Sequence, residues 1–302
     1  MKCLVTGGAG FIGSHLVDKL LEEGHSVKVI DNLSTGKKEN LNKKADFYQL
    51  DICDFEKIKP LFKGIDLVFH LAAVPRVPVS VNDPVGTSKI NILGSINVFK
   101  AAKDGKAKRV VFASSAAVYG RNKSPVLKET MTLNPESPYG FQKLASEQAA
   151  KLFNELYNIP IVCLRYFNVY GPRIDFDSDY SLVLGRFLKL AKLKKPLTIF
   201  GTGSQTRAFC YISDAVLAAV KAAESKKIKG GEIINIGHEK SFSVNFLAGL
   251  IGGKKEYLQE RPGDILKSQA DISLAKKILG WQPCYDLEQG VKETEKWFEN
   301  YA

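Results

Sequence analysis

Three groups of residues in this chain have the types and spacing that chemistry needs. The first is Gly7-x-x-Gly10-x-x-Gly13, which joins a short apolar run directly to a helical pattern. Glycine there lets backbone approach a pyrophosphate, whose charge the free N–H groups and dipole of the helix start stabilise. The same spacing also serves a tight turn with close helix packing. Two features favour a dinucleotide: the motif sits at the first strand–helix junction, and Asp31 ends the second strand 18 residues past Gly13. A carboxylate at that place accepts hydrogen bonds from a ribose 2′-OH and repels a 2′-phosphate, so NAD is expected in preference to NADP.

The second group is a tyrosine followed four residues later by a lysine, which puts both on one helix face. With 11 tyrosines and much lysine one match is expected by chance, and there are two, Tyr119/Lys123 and Tyr139/Lys143. Tyr119 precedes Gly120 and a polar stretch ending at Pro125, the pattern of a loop. Tyr139 follows Ser137-Pro138, an N-cap and a first-turn proline, so Lys143 stands one turn along a helix. Such a tyrosine can act as base for a sugar or alcohol hydroxyl. Its ordinary pKa of about 10 would first have to be lowered by a neighbouring ammonium and a positive nicotinamide. The third group, Ser114-Ser115, follows the fifth strand at the sheet edge where ligands sit. On spacing alone, a helix-surface aromatic and a strand-end turn account for these residues as well as catalysis does.

The elements that must hold these groups alternate. Strands are expected at 2–6, 26–30, 47–50, 67–71, 109–113 and 161–165, and helices at about 12–24, 55–62, 91–103 and 138–157. This rhythm predicts an α/β fold with a doubly wound parallel sheet of the Rossmann kind and helices on both faces. Beyond Phe167 the rhythm loosens, although a helix at 213–223 and a strand at 232–236 return to the sheet. The domains are therefore expected to be discontinuous. Residues 1–167 with about 205–237 make an NAD-binding domain, and about 168–204 with 238–302 make a smaller lobe capping the strand ends.

Composition limits the partners. The chain has 302 residues, 45% hydrophobic and 25% charged, which excludes disorder and collagen-like repeats. No apolar run is long enough for a membrane span, and the N-terminus has no signal-peptide pattern. Cys3, Cys53, Cys163, Cys210 and Cys284 are scattered with no C-x-x-C pair, which points to a reducing compartment and no metal site. A soluble cytoplasmic protein is expected. The formal charge of +11 raises the question of a polyanion, but only eight of the 43 basic residues are arginine and the lysines are spread. A solvated lysine-rich surface is expected, with neither nucleic acid nor membrane as partner.

Longer stretches carry a resemblance. Thr6-Gly7-Gly8-Ala9-Gly10-Phe11-Ile12-Gly13, Asp31-Asn32-Leu33-Ser34-Thr35-Gly36, His70-Leu71-Ala72-Ala73, Ser114-Ser115-Ala116-Ala117-Val118-Tyr119-Gly120 and Tyr139-Gly140-Phe141-Gln142-Lys143 resemble the extended short-chain dehydrogenase/reductase family. The run from Leu164 to Arg173 and Arg261-Pro262-Gly263-Asp264 resemble its nucleotide-sugar epimerase branch, especially UDP-hexose 4-epimerases. The match runs nearly end to end.

The resemblance implies that Tyr139 is the base, that Lys143 binds the nicotinamide ribose and depresses the tyrosine pKa, and that Ser115 hydrogen-bonds the 4-hydroxyl. It implies a cofactor site of Gly7, Gly10, Phe11, Ile12, Gly13, Asp31, Asn32, Ser34, Thr35 and Gly36, with Asp51 and Ile52 flanking the adenine. Leu71, Ala72, Ala73, Asn91 and Ser114 belong to the same site. On the substrate side Asn168, Arg207 and Arg261 match diphosphate-binding positions, Asp264 the uridine ribose, and Thr198 and Phe200 the uracil pocket. Val183 is a further substrate position, and Ser268 matches the gate of the sugar pocket, where a small residue tends to admit N-acetyl sugars.

Dehydratases and decarboxylases of the family usually carry an acid where this chain has Ala116-Ala117, and glucuronate epimerases usually carry Thr at Asn168. The implied reaction is NAD-dependent 4-epimerisation of a neutral UDP-hexose, by an enzyme that is commonly a homodimer. Ala208 in place of a common aspartate leaves Arg207 less firmly oriented, and Gly185 in place of a common proline loosens a turn beside the sugar. The alternatives are a related nucleotide-sugar epimerase or reductase, and a dinucleotide sensor without catalysis.

Overall fold

A computed structural model describes residues 1–122, 124–176, 183–260 and 267–301. The chain begins with β1 (Lys2–Thr6), α1 (Phe11–Glu22), β2 (Ser26–Ile30), β3 (Asp46–Tyr48), α2 (Phe55–Ile58) and β4 (Leu67–His70). Helices α3 (Val77–Asn82), α4 (Pro84–Ser88) and α5 (Ser95–Asp104) lead to β5 (Arg109–Ser115). Then come β6 (Val126–Leu127), α6 (Pro138–Tyr157), β7 (Ile161–Tyr166) and β8 (Val169–Tyr170). Next are α7 (Val183–Lys192), β9 (Leu197–Phe200), β10 (Thr206–Arg207), β11 (Cys210–Tyr211), α8 (Ile212–Glu224) and β12 (Ile233–Ile236). The last elements are β13 (Phe242–Ser243), α9 (Val244–Ile251), β14 (Lys255–Leu258), β15 (Lys267–Ala270), α10 (Ser273–Leu279) and α11 (Leu287–Tyr301).

Seven strands form one sheet in the order β12-β7-β5-β4-β1-β2-β3, with every pairing parallel. This is the expected doubly wound α/β architecture. The chain winds outward from β1 to β3 and then returns to the other flank of β1 at β4. The crevice beyond the carboxyl ends of β1 and β4 is therefore the switch point at which such sheets bind ligands.

Burial on both faces explains the apolar strands. Cys3 and Val5 of β1 enter one core cluster with Leu16, Val17 and Leu20 of α1 and Ala215, Ala218 and Ala219 of α8. Leu4 enters the opposite cluster with Val98 and Phe99 of α5 and Ala150 of α6. Each fully buried Leu, Val or Phe contributes about 1.5–3 kcal/mol relative to exposure. A charged tie crosses the first face. Arg109 donates through Nη1 to the carbonyls of Ala222, Ala223 and Ser225 and through Nη2 to that of Ile228, at 2.7–3.1 Å.

Among the boundaries that differ from expectation, four stand out. The third strand stops at Tyr48 because Leu50 N–H turns back to the Tyr48 carbonyl (3.0 Å). The helix expected at 55–62 is α2 followed by a 3₁₀ turn, since Pro60 has no N–H for an α-helical bond. β5 continues to Ser115, which pairs with Tyr166 of β7. The helix expected at 91–103 belongs to a rod from Pro84 to Asp104 whose middle, Lys89–Gly94, is π-helical. Asp83 caps the start of that rod by accepting from Gly86 N–H (2.8 Å).

Around this sheet lie smaller ones among the described residues. One has the order β13-β10-β15-β6, and β11 pairs with β8 and β14 with β9. No described helix is long and apolar enough to cross a membrane.

Candidate active site

A cavity of about 1080 Å³ opens at the carboxyl ends of β1, β4 and β5. The turn after β1 forms its floor. Gly7, at φ +75°, donates to the Ile30 carbonyl (2.8 Å), and its own carbonyl accepts from Gly10 N–H (3.1 Å). A Cβ on Gly13 would lie 2.0 Å from that Gly7 carbonyl oxygen, so only glycine lets the first turn of α1 sit down on the loop. Gly10 is the N-cap of α1 and supplies no side-chain cap, and the first turn holds no acid. The positive end of α1 is left to an anion.

The carboxylate at the end of β2 is built into the same wall. Asp31 accepts from Ala9 N–H through Oδ2 (3.0 Å) and from Leu33 N–H through Oδ1 (2.8 Å), and each oxygen keeps acceptor capacity. Asn32 donates to Asp51 Oδ2 (3.0 Å), and Cys53 N–H donates to Oδ1 (2.8 Å). Burial pushes the Asp51 pKa up, but these bonds override it and hold the carboxyl below its ordinary range. Ser34, Thr35 and Ile52 also line the cavity, whereas Gly36 packs against the Asp31 carboxylate outside the lining. These glycines, the uncapped helix start and the ribose-side carboxylate fit an NAD molecule.

Leu71, Ala72 and Ala73 line the opposite lip. A directional chain fixes it from behind. Ala72 N–H donates to Thr6 Oγ1 (3.3 Å), which lies 2.7 Å from His70 Nδ1, and His70 Nε2 lies 2.9 Å from Ser95 Oγ. Ser95 gives its own proton to the Asn91 carbonyl (2.7 Å), so His70 must be protonated at Nε2 and accept at Nδ1. Complete burial, aided by the Lys143 charge, takes the His70 pKa down to about 3. Asn91, inside the π segment, is not in the lining. Its side chain holds Val74 at N–H (2.8 Å) and carbonyl (3.1 Å) and donates to Gln142 Oε1 (2.7 Å), supporting the lip from the second layer.

Tyr139 and Lys143 sit on the buried face of α6, whose N-cap Ser137 accepts from Gly140 N–H (3.1 Å) ahead of Pro138. Both line the cavity with Ser114 and Ser115. Burial pushes the Tyr139 phenol up to about 12, and a hydrogen bond with the Ser115 side chain opposes this. The Lys143 ammonium donates to the Ala113 carbonyl (2.8 Å), lies 4.8 Å over the Phe112 ring, and is 5.9 Å from the Tyr139 ring centroid. Burial lowers Lys143 to about 8, and the negative charge of Glu147 opposes that fall. Tyr119 is elsewhere: it ends a 3₁₀ turn, donates to Asn235 Oδ1 (2.7 Å), and is absent from the lining. Its partner in spacing, Lys123, lies outside the described residues.

Across the cavity stand Asn168, Arg207 and Ser268. Asn168, at φ +32°, donates to the Ala208 carbonyl (2.8 Å), which ties the turn after β7 to β10. Arg207 pairs in register with Ser268 of β15. Val183, Thr198 and Phe200 lie outside the lining. Arg186 of α7 contacts the last two, donating to the Thr198 carbonyl (2.7 Å) with its guanidinium 4.9 Å from the Phe200 ring. Arg261 and Asp264 lie outside the described residues.

Among the lining residues that were not anticipated are Lys37, Asn40, Arg76, Arg173 and Asp175. Arg76 is ion-paired with Asp175 across the mouth, and Arg173 binds Asp18 (2.8 Å). His15 contacts the Pro172 carbonyl (2.9 Å), and the Lys37 ammonium lies 5.6 Å from the Phe176 ring. The segment 172–176 is thus strapped over the nucleotide side. No local pattern announces pairs so far apart in the chain.

The comparisons with known proteins agree with this geometry. A UDP-glucose 4-epimerase structure from Thermotoga maritima, with UDP-glucose, is 39% identical, covers 99% of both chains and superposes with a TM-score of 0.94. A UDP-N-acetylglucosamine 4-epimerase from Methanobrevibacter ruminantium, with UDP-N-acetylmuramic acid, is 40% identical over 100% of this chain and 99% of that one, also at 0.94. A UDP-glucuronate 4-epimerase of Thermodesulfobacterium geofontis is 38% identical over 97% of this chain and 95% of its own. Residues 3–237 span the glycine turn, Asp31, the Tyr139–Lys143 pair and the return to the sheet at β12, and over that stretch the chain belongs to the NAD dependent epimerase/dehydratase family.

Proposed function

We propose that this protein inverts C4 of a neutral UDP-hexose with bound NAD, acting on UDP-glucose/UDP-galactose and also on their N-acetyl counterparts. The observation that carries the reading is the distribution of charge in the cavity. Tyr139 and Lys143 are the titratable groups that α6 and the end of β5 bring to the lining, beside Ser115. The acids among the described lining residues are Asp31, Asp51 and Asp175, none of them on those two elements. A wall with one proton-transfer group suits reversible oxidation of a hydroxyl, and Ala116 and Ala117 offer no acid or base for losing water or carboxylate.

When bound, NAD supplies the hydride acceptor and donor for the sugar carbon. The chain supplies the rest. Tyr139 Oη takes and returns the 4-hydroxyl proton, Ser115 holds the tyrosine and that hydroxyl in one line, and Lys143 places a positive charge that favours the phenolate. Asn168 and Arg207, with Arg261, anchor the diphosphate by donation, while Asp264 takes the uridine ribose. Anchoring the nucleotide and leaving the hexose loosely held lets the sugar present its other face.

Ser268 supports the N-acetyl activity because a short side chain at that wall leaves room for the acetamido group. In this reading, 1–167 with about 205–237 hold the cofactor, and about 168–204 with 238–302 hold the sugar nucleotide. The exposed Val81, Val85, Leu93, Leu152 and Leu156 on α3 to α6 support a homodimer, and five free cysteines suit the cytoplasm.

Proton NMR of the purified protein with UDP-galactose and UDP-GalNAc, each without added NAD, is the test. Conversion of both to their gluco epimers is expected. Conversion of UDP-galactose alone removes the N-acetyl activity. No conversion of either after NAD is supplied overturns the proposed function.

A further inference from the structure

Glu147 is buried one helical turn beyond Lys143 on the face of α6 that carries Tyr139. Both oxygens of its carboxylate are engaged. Arg165 donates from Nε to Oε1 (2.9 Å) and from Nη2 to Oε2 (2.7 Å), and Ser114 Oγ donates to Oε1 (2.5 Å). The sheet prepares this clamp, because Ser114 of β5 and Arg165 of β7 are partners in register. Arg165 is stacked 4.8 Å over the Tyr119 ring. A buried ion pair of this kind contributes little stability compared with apolar residues of the same volume. Its presence beside Tyr139 and Lys143 therefore asks for another reason.

We propose that Glu147 is a positioning residue, clamped by Arg165 and Ser114, that keeps the Lys143 ammonium charged and seated on the end of β5. The proposal rests on the reading of Tyr139 and Lys143 as the reacting pair. Lys143 bonds the carbonyl of Ala113, and Glu147 grips the next residue, Ser114, so a single strand end is held twice from one helix. The ionisable groups around Lys143 are Tyr139 and Glu147 from α6, His70 from β4 and Cys163 from β7, with Arg165 of β7 on the far side of the Glu147 carboxylate. Burial keeps the Cys163 thiol and His70 neutral. Glu147 is then the one negative charge of this set. Burial works against the Arg165 charge, but its bonds to Glu147 override that and hold its pKa above the ordinary arginine value. With Glu147 neutral, the buried Lys143 ammonium and the Arg165 guanidinium would both lose their counter-charge, and Lys143 would give up its proton at lower pH.

The experiment reads Lys143 directly. Protein labelled at lysine ¹³Cε is titrated by NMR, with the Lys143 signal identified by its loss in Lys143→Met. Glu147→Gln keeps an oxygen for Ser114 but leaves Arg165 unpaired, so Glu147→Gln/Arg165→Met is measured beside it to remove the pair together. In both, the Lys143 midpoint should fall by about one pH unit or more, and the alkaline limb of kcat/KM for UDP-galactose should move down with it. An unchanged midpoint in the folded double variant, with stability alone altered, overturns the role of Glu147. If the wild-type protein leaves UDP-galactose unconverted, the proposed reaction fails, while the NMR midpoint still decides whether Glu147 holds the Lys143 charge.

Discussion

Replacing Gly13 by alanine tests how α1 is seated on the nucleotide loop. The added Cβ would stand 2.0 Å from the Gly7 carbonyl oxygen, 2.8 Å from its carbon and 3.0 Å from Gly8 Cα, where ordinary contact begins at 3.4 Å. All three are backbone atoms, and the Gly7 oxygen already accepts from Gly10 N–H, so no side chain can swing aside to make room. Overpacking of this kind costs about 1–3 kcal/mol, and a backbone obstruction belongs at the upper end. Alanine's better helix propensity returns about 0.5–1 kcal/mol, leaving a net loss of about 2 kcal/mol. At about 2.1 cal/mol/K of unfolding entropy per residue, a chain of this length loses about 3 °C in Tm. The control is Gly249→Ala in α9, where a Cβ meets nothing within 4 Å and the residue is exposed. That change should add about 0.5–1 kcal/mol. Thermal and urea unfolding with and without NAD reads both, and the increment that NAD adds to Tm should shrink in Gly13→Ala alone. The reasoning fails if the two glycine variants shift stability in the same direction, or if NAD stabilises Gly13→Ala as much as wild type.

Three other outcomes follow from the same contacts. His70 has a pKa of about 3 when folded against 6.5 ordinarily, so its contribution is complete above pH 6.5 and is lost as pH falls toward 3. The slope is about 1.4 kcal/mol per pH unit. Urea midpoints of His70→Asn across pH 4–7 should lack that one-proton slope, and an unchanged slope would show that another group carries it. Arg109→Met should lose about 1.5–3 kcal/mol in urea unfolding by stripping a charged donor from four carbonyls around the end of α8, and a neutral result would remove this tie from the account. Ser268→Tyr should abolish conversion of UDP-GalNAc while sparing UDP-galactose, as read by NMR; intact N-acetyl turnover would mean that another side chain sets the pocket.

What could be read in the sequence was what is local. Gly7 to Gly13, Ser137-Pro138 and the Tyr139–Lys143 spacing each act within two helical turns, and each stands where the pattern put it. Asp31 was legible because a parallel strand ends where its ligand-facing loop begins. The Arg76–Asp175 pair was not legible, since 99 residues separate partners that meet only after the sheet has formed. Asn91 was assigned to the cofactor, and its side chain bonds Val74 of the cavity lining rather than lining the cavity itself, a distinction that no one-dimensional pattern makes. Thr198 and Phe200 both contact Arg186, a contact that depends on how α7 packs on β9.

The π-helical stretch at Lys89–Gly94 has a consequence for chain length. An α-helix turns by about 100° per residue, so the wider turn works as a phase shifter, letting the two halves of one rod address different neighbours. Upstream, Thr87 and Ser88 accept from Gln142 of α6 (2.9 and 3.1 Å), while downstream Val98 and Phe99 fill the core under the sheet. The wide turn holds one residue more than an α-helical turn, so deleting one residue within it would restore regular winding with Val98 and Phe99 still on the core. A deletion in the regular turn between Ser95 and Val98 would instead rotate them off it by about 100°. A single-residue deletion that spares Asn91 should therefore be absorbed in this stretch but not in the regular turns on either side, which makes the π turn the one part of the rod where chain length has slack.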